Sequence, residues 1–249
     1  MNLIDIDKKW NFDDPRLTVI ADGGNLTIQY PAHLDGGGNW MRVFFSKILK
    51  KYGKSTYNRG FEWCAGHGIL GFNALGSGLC NHITFSDYYN VAVETCLENA
   101  KQNNILDKVT AYHTPCIAEI PDFEKWDLVI ANPPHAFSSL EDSKISLSRT
   151  GLIGSELTNI LRITSDTGMA IHMEFFQNIS KHLNKDADVF LYEPSYCANQ
   201  IIETLPMILK FGIELVGEYL IDEYLDPADS LQMKHHINGK VLHFKQTIL

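Results

Sequence analysis

Five cysteines occur in the 249 residues: Cys64, Cys80, Cys96, Cys116 and Cys197. Their number is odd and no pair has Cys-x-x-Cys spacing, which argues against a disulfide framework and against a zinc site. His235-His236 has no further ligand nearby in the sequence, so no metal is expected. Long apolar runs are missing too, and nothing approaches the ~20 residues of a membrane span. The first residues, MNLIDIDKKW, lack an apolar segment behind a basic start, so no signal peptide is expected and a reducing, cytoplasmic setting is the default. Positive charge is scarce, with 21 Lys plus Arg against 30 Asp plus Glu and a net charge of -9. That balance argues against a broad, unassisted nucleic-acid binder, although it leaves room for a local basic patch or an enzyme reading one loop of RNA. No internal repeat or low-complexity segment is found.

What is present is core-forming material. Hydrophobic residues make up 45% of the chain, enough for one large domain or a domain with a modest extension. In the leader, Ile28 to Pro31 closes a short strand, and Asp35 with Gly36 to Gly38 forms a flexible loop. Trp40 to Tyr52 reads as an amphipathic helix, with Met41, Phe44, Phe45, Ile48 and Leu49 on one stripe. Strands are expected at Gly60–Ala65, Ile83–Ser86, Val109–Tyr112, Asp127–Ala131 and Val189–Tyr192. Helices are expected at Leu70–Leu75, Val91–Asn103, Met169–Leu183 and Ile201–Leu209, the last bent by Pro206. Two late strands, near Leu215–Ile221 and Lys240–Lys245, are joined by a long connection. This alternation is that of an α/β fold: a largely parallel sheet covered on both faces, with an antiparallel edge.

Three places along this pattern carry chemistry. The first is Glu62-Trp63-Cys64-Ala65-Gly66-His67-Gly68, where the first strand gives way to a helix. Open α/β sheets bind ligands at the carboxyl ends of their strands. Gly66 and Gly68 let backbone approach a cofactor. With Gly71 they formally meet the dinucleotide fingerprint, so the turn alone does not separate NAD from other nucleotide cofactors, or from a plain structural turn. The second is Asp87, about twenty residues on, placed to accept hydrogen bonds from ribose hydroxyls. Each such bond to a charged acceptor is worth about 1.5–3 kcal/mol. Tyr88 beside it can lie against an adenine. The competing reading of Asp87 is an N-cap for the following helix. The third is Trp126-Asp-Leu-Val-Ile-Ala-Asn132-Pro133-Pro134-His135: an apolar strand ending in Asn and two prolines.

From Glu62-x-x-x-Gly66-x-Gly68 through Asp87 to Asn132-Pro133-Pro134, order and spacing are similar to those of S-adenosylmethionine (SAM)-dependent methyltransferases with an Asn-Pro-Pro-aromatic motif after the fourth strand. These methylate amino or amide nitrogens of DNA adenine, of rRNA guanine, and of glutamine in release factors and ribosomal proteins. The resemblance covers residues 60 to about 193. It implies a Rossmann-like methyltransferase fold with a mostly parallel seven-stranded sheet and leaves the leader and tail unassigned; residues 1–52 are expected as an N-terminal extension and helix over the cofactor or substrate site, and residues 53–249 as the SAM-binding domain. It implies SAM contacts from Glu62, Cys64, Ala65, Gly66, Gly68, Asp87, Tyr88, Thr114 and Asn132. Glu62 would orient the turn or reach the cofactor's ammonium through a water. It assigns catalysis to Asn132, Pro133, Pro134 and His135. An exocyclic nitrogen is a poor nucleophile while its lone pair is delocalised. The side-chain oxygen of Asn132 and the carbonyl of Pro133 each accept one N–H bond and repolarise it, on a turn stiffened by two prolines. Placement of this kind is worth about 7–11 kcal/mol.

This sequence departs from the family at two points. His135 stands where an aromatic residue is usual, and either stacks on the target or faces solvent. The stretch after the third strand reads His113-Thr114-Pro115-Cys116, without the usual acid, so adenine recognition falls to backbone or to Thr114. Residues Ser138 to Asp166 read as a substrate-side lid or a long surface excursion. Asp166-Thr-Gly168 reads as a turn followed by a partly buried His172, and Glu193-Pro194 borders the pocket. Three functional classes stay open: an N-methyltransferase acting on a base, a protein glutamine or a small molecule; a NAD-dependent oxidoreductase; and a non-catalytic SAM-binding protein.

Overall fold

The computed structural model describes residues 18–20, 26–31, 34, 38–134, 170–225 and 239–247. A short hairpin comes first, β1 (Thr18–Ile20) paired antiparallel with β2 (Thr27–Gln29). Helix α1 (Gly38–Tyr52) follows. Then strand and helix alternate: β3 (Tyr57–Trp63), α2 (Ile69–Gly76), β4 (Cys80–Asp87), α3 (Asn90–Gln102), β5 (Val109–His113) and β6 (Trp126–Ala131). After the next described helix, α4 (Ala170–Ile179), come β7 (Leu183–Glu193), α5 (Ser195–Glu203), α6 (Leu205–Lys210), β8 (Ile213–Leu220) and β9 (Lys240–Gln246).

Seven strands form one sheet in the order β5-β4-β3-β6-β7-β9-β8. The strands from β3 to β7 pair in parallel, and β9 runs antiparallel between β7 and β8. This is the Rossmann-like methyltransferase architecture expected from the sequence. Both faces are covered, so the central strands are apolar on both sides. On one face Ile83, Phe85, Leu128, Ile130, Phe190 and Tyr192 pack with Phe44, Phe45 and Ile48 of α1 and with Leu70 and Phe72 of α2. On the other, Phe61, Trp63, Val129, Ala131 and Leu191 pack with Phe175, Phe176 and Ile179 of α4. The ring of Phe61 lies flat on Trp126, with centroids 3.9 Å apart.

Two boundaries differ from the sequence reading, each for a local reason. The helix expected to reach Leu183 stops at Ile179; a 3₁₀ turn over Ser180–His182 follows and Leu183 already pairs with Trp126. Between that pair and the next, Leu128 with Asp188, β7 carries extra residues, including Asp186 in the left-handed region (φ 61°). The bulge lengthens β7 well beyond its apolar run Val189–Tyr192. Second, Pro206 does not bend one helix but starts another: α5 ends at Glu203 and Pro206 occupies the first turn of α6, where a missing N–H costs nothing. Among the described residues no helix is long and apolar enough to cross a membrane.

Candidate cofactor and methyl-acceptor site

The sheet's strand order reverses between β3 and β6, and the register sets the rim there. Trp63 pairs with Ser86 on one side and with Ala131 on the other. The residues that follow, Cys64, Asp87 and Asn132, therefore leave the sheet side by side at its C-terminal edge. The open crevice at such a switch point is where α/β sheets take their ligands.

The first strand turns into α2 through three left-handed residues, Cys64 (φ 54°), Gly66 (φ 53°) and Gly68 (φ 76°). Gly68 has a second reason to lack a side chain: a Cβ there would lie 2.9 Å from Cys96 Sγ. Beneath the turn, buried Glu62 accepts a hydrogen bond from Gly71 N–H at 2.6 Å. Burial raises its carboxyl to about 8, against the pull of the Gly71 and Leu70 amides. Glu62 thus holds the backbone at the start of α2. Gly71 serves close packing, since a Cβ there would stand 2.6 Å from the Phe85 ring and 2.8 Å from Glu62 Oε2.

Asp87 ties the turn to the next helix. One carboxylate oxygen accepts from Gly66 N–H and the other from Tyr89 N–H, each at 2.8 Å. Burial raises its carboxyl, opposed by these two amides. The N-cap position of α3 belongs to Tyr89, without a side-chain cap, so capping by Asp87 is not what the structure contains. Ala65 continues the ladder through its N–H to Ser86 O at 3.0 Å. Tyr88 is exposed beside the rim and its carbonyl lies 2.9 Å from His113 Nε2. Burial, with Asp87 and other carboxylates around it, pushes the Cys64 thiol well up, away from the thiolate form.

Thr114 is brought to the rim by its N–H, which donates to Asp87 O at 3.0 Å. Its hydroxyl is engaged within its own turn, 2.9 Å from Cys116 O and 3.0 Å from Glu119 Oε2. On the motif strand, Asn132 is half-buried, Pro133 buried and Pro134 exposed. His135 lies outside the described residues, as do the 138–166 segment, Asp166-Thr-Gly168, Asp35 with Gly36 and Gly37, and His235-His236.

Two features escaped the sequence reading. The leader docks on the site: Asn99 on α3 and Asn103 at its C-cap, one turn apart, pair their amides with β2 much as a neighbouring strand would. Asn99 bonds Gln29 N and O, and Asn103 bonds Thr27 N and O, all at 2.8–2.9 Å. Tyr30 then stacks on His67 of the glycine turn (centroids 3.9 Å), and Leu34 O accepts from His67 Nδ1 at 3.0 Å. Burial lowers His67 to about 4, so it is neutral near pH 7. The signal was the i, i+4 asparagine pair, which propensity alone marks as unfavourable inside a helix. The second feature is a bond from His172 to Glu193, which the sequence named separately.

Comparison with known proteins follows this geometry. Residues 32–147 match the family model of the methyltransferase small domain. That match covers a little under half of the chain. Over 79 residues the chain is 37% identical to ribosomal RNA large subunit methyltransferase G of Photobacterium profundum, covering 31% of this chain and 21% of that protein. The chain thus spans about a fifth of the length of that curated relative. A putative RNA methyltransferase from Pyrococcus horikoshii superposes with a TM-score of 0.54 at 13% identity, covering 90% of this chain and 94% of that one. A methyltransferase from Pyrococcus furiosus gives 0.55 at 15% identity, with 83% of each chain covered. At those identities the methyltransferase likeness is one of fold.

Proposed function

We propose that the protein is a SAM-dependent N-methyltransferase acting on a planar amino nitrogen of an RNA base. The observation that carries this is the shared rim: Asn132-Pro133-Pro134 leaves β6 beside the Gly66 turn of β3 and Asp87 of β4. RNA is favoured over a protein glutamine or DNA by the relative that acts on ribosomal RNA.

The residues present suit this cofactor. Each Asp87 oxygen spends one lone pair on a backbone N–H and keeps capacity for a ribose hydroxyl. At Gly66 a Cβ position meets, among the described residues, only Leu34 O, at 3.7 Å, so a ligand can approach the backbone closely. The exposed Tyr88 offers a ring for adenine, while the Thr114 backbone rather than its committed hydroxyl serves the base's edge. When bound, SAM supplies an electrophilic methyl group. Asn132 Oδ1 and Pro133 O accept the two N–H bonds of the target amine, so its lone pair is freed from the ring and held in line. His135 flanks the target. Because that nitrogen becomes strongly acidic on methylation, its proton leaves without a dedicated strong base. Residues 1–52 act as a cover over the turn, in keeping with the Tyr30, Leu34 and His67 contacts, and residues 53–249 hold the cofactor. A cytoplasmic setting accords with five free thiols.

The test supplies methyl-labelled SAM with RNA and protein fractions from cells lacking the gene. Asn132→Ala is expected to slow incorporation into RNA by about 100-fold. Incorporation at the wild-type rate by Asn132→Ala would remove the catalytic assignment. Label in glutamine would replace the acceptor class, and tight NAD binding without SAM binding would replace the reading with an oxidoreductase.

A further inference from the structure

His172 lies in the first turn of α4 and Glu193 is the last residue of β7. His172 Nε2 and Glu193 Oε1 are 2.8 Å apart, and neither side chain is exposed at all. The imidazole also stands edge-on to Trp63, which closes β3, with centroids 5.9 Å apart at 88°. In the sheet β6 lies between β3 and β7. One ring therefore touches both strands that flank the strand carrying Asn132, on the face where Ala131 is buried. Leu191 pairs with Ala131, so Glu193 falls level with Pro133.

The pair joins an imidazole nitrogen to a carboxylate oxygen, a contact with a defined direction. Nδ1 is buried and meets no hydrogen-bond partner among the described residues. Trp63, against the imidazole, belongs to an apolar cluster with Ala131, Phe175 and Phe176. Packing alone does not call for an acid and an imidazole there, since well-packed apolar residues of similar volume are often as stable as a buried charged pair. A hydrogen bond adds direction and a fixed distance, which apolar contact does not.

We infer that His172 and Glu193 form a positioning pair that fixes the Asn132-Pro133-Pro134 turn for its methyl acceptor. The pair clamps α4 against β7 directly under the end of β6, so that the two acceptor oxygens keep their spacing. It rests on the methyl-transfer reading above and adds residues to that same site. Its hydrogen bond lies on the β7 side of β6, whereas Gly66 follows β3 and Asp87 ends β4 on the other side.

The experiment compares turnover and SAM affinity in the full chain, with methyl-labelled SAM and total RNA as the probes. His172→Leu is expected to lower kcat by about 100-fold, the scale of a 1 Å misplacement, while calorimetric SAM affinity stays within twofold. His172→Gln, which retains a donor for Glu193, recovers most of the rate. The double variant His172→Leu/Glu193→Leu is no slower than His172→Leu alone, as for groups acting as one unit. Wild-type kcat in folded His172→Leu overturns the inference. So does a SAM affinity that falls in step with kcat, which marks general loosening. Should His172→Leu fail to fold, His172→Gln and Glu193→Gln decide by the same two readouts, with near-wild-type kcat expected of both and a 100-fold loss in both against it. If Asn132→Ala also turns over at the wild-type rate, the methyl-transfer reading itself has failed. If Asn132→Ala is slow while His172→Leu is not, only the positioning role falls.

Discussion

Replacing Glu62 by Gln isolates the cost of a buried acid at the cofactor turn. Glu62 is 2% exposed, and burial lifts its carboxyl from 4.5 to about 8. The folded protein therefore holds a proton that the unfolded chain releases at a lower pH. Between about pH 4.5 and 8 the unfolded state binds fewer protons than the folded one, so stability falls as pH rises through that window. It is at its fullest below 4.5 and is lost by about pH 8. A difference of about 3.5 pH units corresponds to roughly 5 kcal/mol in total, and about 3 kcal/mol of it is already lost at pH 7.

Gln keeps a side-chain oxygen for the Gly71 amide and never ionises. Glu62→Gln should therefore gain on the wild type by several kcal/mol between pH 5 and pH 8. Urea unfolding of both proteins at unit steps across that range, at constant ionic strength, reads the difference directly. Other carboxyls raised by burial, Asp87 and Glu174 among them, titrate in both proteins and cancel in the comparison. Parallel stability curves for the two proteins would refute the account of Glu62 as a buried acid held mainly by backbone amides.

Two further outcomes follow from contacts in the turn and the leader. Gly71→Ala places a methyl group 2.6 Å from Phe85 and 2.8 Å from Ile83, and should destabilise by about 1–3 kcal/mol through overpacking. Gly78→Ala meets nothing within 4 Å and carries only the strain of its left-handed backbone, so it should melt above Gly71→Ala in thermal denaturation. Asn99→Ala strips the amide bonds from Gln29 N and O, and should speed hydrogen exchange at residues 27–29 by about tenfold or more, as a loss of about 1–3 kcal/mol confined to the leader requires. Uniform acceleration across α3 and β4 would show that the leader is not a separate unit.

Much of this architecture was visible in the residues because the determining forces are local. Strand β6 is an apolar run stopped by Asn-Pro-Pro, and α1 shows its buried stripe at a helical period. The helix limit at Ile179 was not visible. Phe175, Phe176 and Ile179 continue smoothly into Leu183 by period, and only pairing with Trp126 across the sheet decides that Leu183 is strand. The same holds for the site. Glycines and Asp87 announce themselves by spacing. The His172–Glu193 bond joins residues on separate elements, and no one-dimensional pattern states that α4 packs over the end of β6. Asn99 and Asn103 read as poor helix residues because their partner, β2, lies 70 or more residues away.

Two buried carboxylates of the sheet, Asp188 and Glu62, show how position divides structural from functional work. At Asp188 on β7, burial tends to raise the carboxyl. His243 at 2.8 Å, Tyr57 at 2.8 Å and Lys245 at 3.3 Å overcome it, and the group stays below its ordinary value. Cationic and hydroxyl donors from β3 and β9 converge on it, so the charge binds three strands together. Glu62 on β3 has comparable burial but its partners are neutral amides of the turn, and its carboxyl is pushed the other way. A fold selected for stability alone would give Glu62 the same treatment as Asp188, or replace it with an apolar residue. An acid left under-compensated behind the glycine turn gains most from a cation arriving in the crevice, and the ammonium group of SAM is such a cation. Cofactor binding should then release a proton near pH 7, with affinity rising by up to about tenfold per pH unit as pH approaches 8. That dependence should vanish in Glu62→Gln.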